Sequence, residues 1–470
     1  MPTRLMPPII HTTPKLDENT VQKIRNPAPT IHLWNKPSVQ SVFKADKMRA
    51  IHAKGMNMKT LVLVSAILIL CSIGTPMLAQ DDPVVVAVGD NNRFAFDLYR
   101  QVSTVNEGNF VFSPFSVSLA LAMTYNGAAG DTAAEMASTM QFTLDREVLS
   151  RTMASLTAQI LLASNAEASE FEPERRLAIA NALWGEQTFP FNAAFLAQLE
   201  ADYGAGLQLV DFVQAAETAR EQINTWIEEQ TNGLIQDIVP QGAVTDLTRL
   251  VLANAIYFKS NWINQFSEAL TQDQTFTLMD GSTVTVPMMR QEERSLYLVD
   301  NGYQAISLPY GGGLAMEIYM PDAGNFAAFE QTFIPDMMLM FRNSATLGEV
   351  ALIMPRWETE SDIPMTDLLQ QMGMQLPFTS DADFSGMVDT TQTDEAIFIT
   401  DVLHKAFISV DENGTEAAAA TVVMMGATSA MPDPTQPFPF TIDRPFIYTI
   451  VDQTTGSVLF MGRVLDPSAS

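Results

Sequence analysis

Few residues in this 470-residue chain are able to do chemistry. His404 is the one histidine after residue 52, and Cys71 is the one cysteine. A zinc site asks for clustered Cys and His ligands, and a thiol nucleophile asks for a Cys beside a base. Neither can be assembled here, so no metal and no cofactor is expected. A histidine base would need a reactive Ser on a Gly-x-Ser-x-Gly elbow and a set of oxyanion donors. No such elbow lies near His404. It stands in a β-rich run, Ile397 to Val410, where a hydrogen-bonded histidine in a buried polar network is the expected role. Gly311 to Gly313 lack the Lys and helix of a phosphate cradle and read as a turn between strands. The chain is therefore not read as an enzyme.

The second feature is a segment rather than a side chain. Asp411 to Met431, DENGTEAAAATVVMMGATSAM, opens acidic and turn-prone, continues in small residues from Thr415 to Thr421, and turns apolar at Val422. Alanine is the best helix former, yet Asn413 and Gly414 precede the run and Pro432, Pro434, Pro437 and Pro439 follow. A helix held between them has about two turns, and helices shorter than ~12 residues are marginal in water. The segment reads as loop or strand. In a strand alternate residues share a face, which puts Thr415, Ala417, Ala419, Thr421 and Val423 in one row and the single charge, Glu416, in the other. No Lys or Arg lies between Gly414 and Asp443.

The elements that must position these residues are mixed. Phe94, Leu98 and Val102 recur at helical spacing. Ser113 can cap a helix whose first residue is Pro114, Gly127 can end it, and Thr132 with Glu135 has the spacing of a capping box for the next. Ile223, Trp226, Ile227 and Ile235 mark a further helical face. Strand-like runs cover Leu250 to Phe258, Ala315 to Met320, Val350 to Met354, Ile397 to Val410, Phe446 to Val451 and Val458 to Val464. Several are apolar throughout, as strands buried on both faces are. The 27 methionines are expected to fill gaps in the core.

With 47% hydrophobic residues the chain can bury a large core. From Met58 it reads MKTLVLVSAILILCSIGTPMLAQDD: a lysine, an apolar run and a small-residue exit near Ala79, the layout of a secretory signal peptide. The run falls short of the ~20 residues of a membrane span, and Leu70 before Cys71 argues against lipid attachment. The expected organisation is a doubtful extension over 1–57, explained by a start codon placed too far upstream, a signal peptide over 58–79, a short linker over 80–89 and a single domain over 90–468. After Lys59 the chain has 16 basic against 51 acidic residues, a formal net charge of −35. That balance disfavours nucleic acid and anionic lipid as partners, and no stable membrane insertion is expected after signal cleavage.

Segments from about Asn109 to Arg463 resemble the serpin family of protease inhibitors. They are NFVFSPFSVSLALAMTYNGAAGDTAAEM, NALWG, INTWIEEQTNGLIQDIV, LVLANAIYFKSNW, LPYGGGLAMEIYMPD, the MGM and ADFSGM signatures, DVLHKAFISVDENGTEAAAAT and DRPFIYTIVDQTTGSVLFMGRV. The resemblance implies an α+β fold of three β-sheets and about nine helices, with an exposed reactive-centre loop over about 411–440. It implies a metastable native state in which a protease cleaves the loop, becomes acylated and is trapped as the loop enters the central sheet. Ser113, Ser116, Asn254 and His404 match the family's shutter beneath that sheet. Trp262, Arg356 and Glu412 match its breach, where insertion begins. Glu412, Gly414, Thr415, Glu416, Ala417, Ala418, Ala419, Ala420 and Thr421 match its hinge, whose small residues are the mark of inhibitory members.

The family's spacing, counted forward from Gly414, gives Thr428 and Ser429 as the reactive bond. Counted back from Arg444, Pro445 and Phe446 it falls near Pro434, so the loop is longer than usual on its carboxyl side, with Ala430 and Met431 as the fallback. Loop composition disfavours trypsin-like targets and fits an elastase-like, subtilisin-like or chymotrypsin-like serine protease, with papain-like cysteine proteases still open. The expected product is a covalent complex with a secreted, extracellular monomer. The alternative is a non-inhibitory serpin acting as a binding or chaperone-like module.

Overall fold

The computed structural model describes residues 82–165, 175–204, 206–415 and 436–469, all within the second of the two units into which contacts divide the chain. Nine α-helices occur among them: α1 (Pro83–Val105), α2 (Pro114–Tyr125), α3 (Gly130–Thr139), α4 (Arg146–Ser164), α5 (Ala193–Tyr203), α6 (Phe212–Gln230), α7 (Phe326–Thr332), α8 (Pro335–Ser344) and α9 (Met365–Gln371). Helix α1 starts inside the stretch read as a linker over 80–89, because Asp82 accepts from the Val84 amide and Pro83 takes the first helical position. Its Phe94, Leu98 and Val102 are fully buried. Ser113 caps α2 as expected, its Oγ accepting from Ser116 N at 3.1 Å.

Two local readings fail, both for tertiary reasons. Helix α3 begins at Gly130, so Thr132 and Glu135 form no capping box. The Thr132 hydroxyl accepts from Asp383 N, and the Glu135 carboxylate accepts from Gln375 N and Leu376 N. Ile235 lies beyond the end of α6, buried in the turn that follows, where the Thr231 hydroxyl accepts from its amide.

The central sheet has the strand order β10 (Trp357–Ile363), β11 (Val402–Val410), β12 (Gly414–Thr415), β4 (Leu250–Asn261), β2 (Arg175–Glu186) and β3 (Gln208–Val210). The other sheet runs β1 (Phe110–Phe112), β15 (Val458–Val464), β14 (Phe446–Asp452), β8 (Leu314–Pro321), β7 (Tyr303–Pro309), β6 (Thr283–Asp300), β9 (Thr346–Pro355) and β13 (Phe438–Thr441), with β5 (Gln272–Thr277) also on β6. Three sheets were expected and hydrogen bonding joins two of them. The 18-residue β6 pairs with β5 and β9 along its first part and with β7 along its last. Strand β11 starts later than the run from Ile397 suggests: Ile397 and Ile399 are buried outside the ladder, and the Val402 amide is taken by the Thr366 hydroxyl. The Gly311–Gly313 stretch forms a short 3-10 turn between β7 and β8.

Both faces of the central sheet are covered. Ile256 and Phe258 of β4 and Ala406, Ile408 and Val410 of β11 pack with Met316, Ile318, Tyr448 and Ile450 of the other sheet. On the opposite face Ala253 and Ala255 lie under Ile223 and Ile227 of α6. This double burial is why β4 is apolar throughout. Met288, Met289, Met316, Met354 and Met461 are all fully buried, where an unbranched side chain fills irregular gaps.

Candidate functional site

Strands β4 and β11 run parallel and are hydrogen-bonded directly from Leu252↔Val402 to Ile256↔Ala406. In that ladder His404 stands beside Asn254, and in the β2–β4 ladder Asn254 stands opposite Asn181. Strand periodicity turns all three side chains to the face that meets α2. Asn254 Nδ2 donates to Ser116 Oγ at 2.8 Å and to Asn181 Oδ1, and Ser116 Oγ donates to Asn181 Oδ1 at 2.9 Å. Ser113 Oγ donates to Leu459 O at 2.6 Å, and Ser113 N donates to His404 Nε2 at 3.1 Å. Because Nε2 accepts, the neutral ring holds its proton on Nδ1 and gives it to Asn254 Oδ1. Ser113, Ser116, Asn254 and His404 are each at most 1% exposed.

At the upper end β4 and β11 part, and β12 lies between them, antiparallel to both, with Thr415 opposite Val410 on one side and Ser260 on the other. The turn before it is clamped. Trp262 N donates to Asn413 O at 2.8 Å, Phe266 N to Glu412 O at 2.9 Å, and Trp262 Nε1 to Asp411 O at 2.9 Å. Glu412 is only 2% exposed, and its carboxylate accepts from Arg356 and from the Thr271 hydroxyl. The Arg356–Glu412 pair is thus not an incidental surface contact, since one charge is fully withdrawn from water. Gly414 is required here: a Cβ would meet Ser260 O at 2.1 Å and Asn261 Cα at 2.6 Å.

Glu416, Ala417, Ala418, Ala419, Ala420 and Thr421, and the bond candidates Thr428, Ser429, Ala430 and Met431, lie outside the described residues, as do residues 1–57 and 58–79.

A family model described as Serpin (serine protease inhibitor) matches residues 89–467. The chain belongs to the serpin family. It is 39% identical over 390 residues to an uncharacterized serpin-like protein of Thermococcus kodakarensis, covering 83% of this chain and 87% of the relative. It is 37% identical over 389 residues to the leukocyte elastase inhibitor of Homo sapiens, covering 80% and 98%. Among solved structures, human thyroxine-binding globulin in complex with thyroxine superposes with a TM-score of 0.72 at 28% identity, covering 82% of this chain and all of the other. Serpins as a family are protease inhibitors directed at proteases, not catalysts.

In this serpin the structure brings Ser113, Ser116, Asn254 and His404 into one network and Trp262, Arg356 and Glu412 into one cluster. Sequence reading missed Asn181, which holds both Ser116 and Asn254; a polar residue inside the buried run IANALW was the available signal. It also missed Tyr310, whose ring stacks on Trp262 with centroids 4.2 Å apart, and Thr271. No local pattern marks either.

Burial pushes His404 down to about 3 from its ordinary value of 6.5. The native protein therefore keeps the ring neutral while the unfolded chain takes a proton below pH ~6.5. The resulting stability is fully present above pH 6.5 and is lost progressively as pH falls toward 3. His404→Gln is expected to lower the slope of unfolding free energy against pH by up to about 1.4 kcal/mol per unit across pH 5–6. Urea unfolding of both proteins at several pH values checks it, and parallel slopes would show that His404 already takes a proton in the native state.

Proposed function

We propose that this serpin is a secreted inhibitor that traps a serine endopeptidase as a covalent acyl-enzyme, with residues 58–79 as the signal peptide that exports it and a monomer as the acting species. The observation that carries the reading is β12: the hinge residues Gly414 and Thr415 already pair with β4, Thr415 pairs with β11 as well, and their register leads down the sheet. Continued by two residues at a time, Ala417 meets Phe258 and Ile408, Ala419 meets Ile256 and Ala406, and Thr421 meets Asn254 and His404. The row that turns inward is the small or β-branched row. On the other face Glu416 comes beside Lys259, which gives the one charge a cationic neighbour.

Insertion separates β4 from β11 and breaks the His404–Asn254 hydrogen bond. The Thr421 hydroxyl, which can donate and accept at once, rejoins the two side chains from between them. About ten new strand residues, each netting ~1 kcal/mol of hydrogen bonding, give on the order of 10 kcal/mol before ordering costs. The protease serine adds to the scissile carbonyl, the loop's new amine leaves with a proton, and the resulting ester is carried away with the inserting strand before water reaches it. Release of stored strain through loop insertion is a recognised switch.

The relative named leukocyte elastase inhibitor supports an elastase-like target, as does a loop without Lys or Arg from Glu416 to Ile442. Mixing the secreted protein with pancreatic elastase, subtilisin and chymotrypsin should give a denaturant-resistant complex with at least one of them. Cleaved serpin alone, with all three enzymes still active, would instead favour a binding role without trapping.

A further inference from the structure

Resting on the reading above, we propose that Tyr310 is the positioning residue for insertion: its hydroxyl holds Thr415 in the gap between β4 and β11 and thereby sets how fast the cleaved loop enters the sheet. Tyr310 and Thr415 are both fully buried, and their hydroxyl oxygens are 2.6 Å apart. Among the described residues neither hydroxyl has another hydrogen-bond partner. The Tyr310 ring is fixed on two sides, stacked on Trp262 at an interplanar angle of 13° and edge-on to Phe258 with centroids 5.1 Å apart. Its own backbone is held too, Tyr310 N donating to Leu314 O at 2.9 Å. Trp262 and Tyr310 thus grip one turn: the Trp262 ring Nε1 donates to Asp411 O, its backbone amide donates to Asn413 O, and the Tyr310 hydroxyl pairs with the Thr415 side chain that follows.

The consequence is kinetic. A strand entering a closed sheet must first form an isolated pair, whereas one whose leading residue is already seated adds each further residue to an existing ladder. Trapping depends on insertion outrunning hydrolysis of the acyl-enzyme, so seating Thr415 in advance favours trapping. Without the Tyr310 hydroxyl, Thr415 Oγ1 is left buried and unpaired, which disfavours the seated hinge. With both hydroxyls gone the pocket is apolar on both sides, and the hinge seats again.

Tyr310→Phe and Thr415→Val should each slow insertion about tenfold, the size of one lost buried partner, and raise the number of inhibitor molecules consumed per protease trapped. The double variant should return to within about twofold of the parent. Single variants that behave like the parent would overturn the proposal. So would a double variant no better than the worse single, because the effect would then come from the ring's packing and not from the hydroxyl pair. If the parent forms no complex with any protease, the reading of function fails, and hydrogen exchange at the Gly414 and Thr415 amides of the intact protein still decides the latch. Faster exchange in Tyr310→Phe, reversed in the double variant, supports it; unchanged exchange overturns it.

Discussion

Ala419→Arg is expected to turn an inhibitor into a plain substrate: the target protease cuts the variant at the parental rate, forms no covalent complex and keeps its activity. The register begun by Thr415 against Val410 and Ser260 carries residue 419 to the level of Ile256 and Ala406. Both are at most 1% exposed, packed in a hydrophobic cluster with Met316, Ile318, Tyr448 and Ile450. A guanidinium there would lose its water without gaining a partner, at a cost of several kcal/mol. That removes a large part of a driving force on the order of 10 kcal/mol and halts the strand about four residues in, before it reaches Asn254 and His404. Cleavage itself is untouched, because the substitution lies well before Thr428 and Ser429. The check is the ratio of cleaved to complexed serpin on denaturing gels at equal protease. A parental yield of complex would mean that residue 419 does not pass through the core.

Much of this site could be read in the sequence, for reasons the structure makes explicit. Strand β11 alternates buried and half-buried without a break, so His404 and the residues two away from it had to share a face. Ser113 and Pro114 announce α2 through chemistry confined to one turn. Glu412 and Arg356 were found by resemblance, and only the structure shows that the carboxylate is withdrawn from water.

What stayed hidden was set by contacts between distant positions. Thr132 and Glu135 had the spacing of a cap, but amides about 240 residues away use both oxygens. Strand β6 carries Arg290, Glu292 and Arg294 on its exposed face, and no apolar run announced it. Tyr310 lies just past the end of β7 with no local mark, and its partner is 105 positions further on. The joining of two expected sheets into one has the same origin, since only the full length of β6 reveals that it serves both.

The second large effect concerns the energy of the whole molecule. In the intact protein β4 and β11 are bonded directly over Leu252 to Ile256, and among the described residues Gly414 and Thr415 occupy the gap above them. A cut near Thr428 frees the loop to enter along its length, adding a full central strand with ladders on both sides. With an unfolding entropy of roughly 2 cal/mol/K per residue, a body of this size shifts its midpoint by about 1 °C per kcal/mol. A gain on the order of 10 kcal/mol therefore predicts a rise of about 10 °C or more. The decisive measurement is thermal unfolding of the intact protein beside the same protein nicked once in the loop, with both fragments retained. A midpoint raised by about 10 °C or more in the nicked form is the predicted result. Equal midpoints, or a lower one after nicking, would mean that the native fold stores no strain and that the loop has nowhere to go.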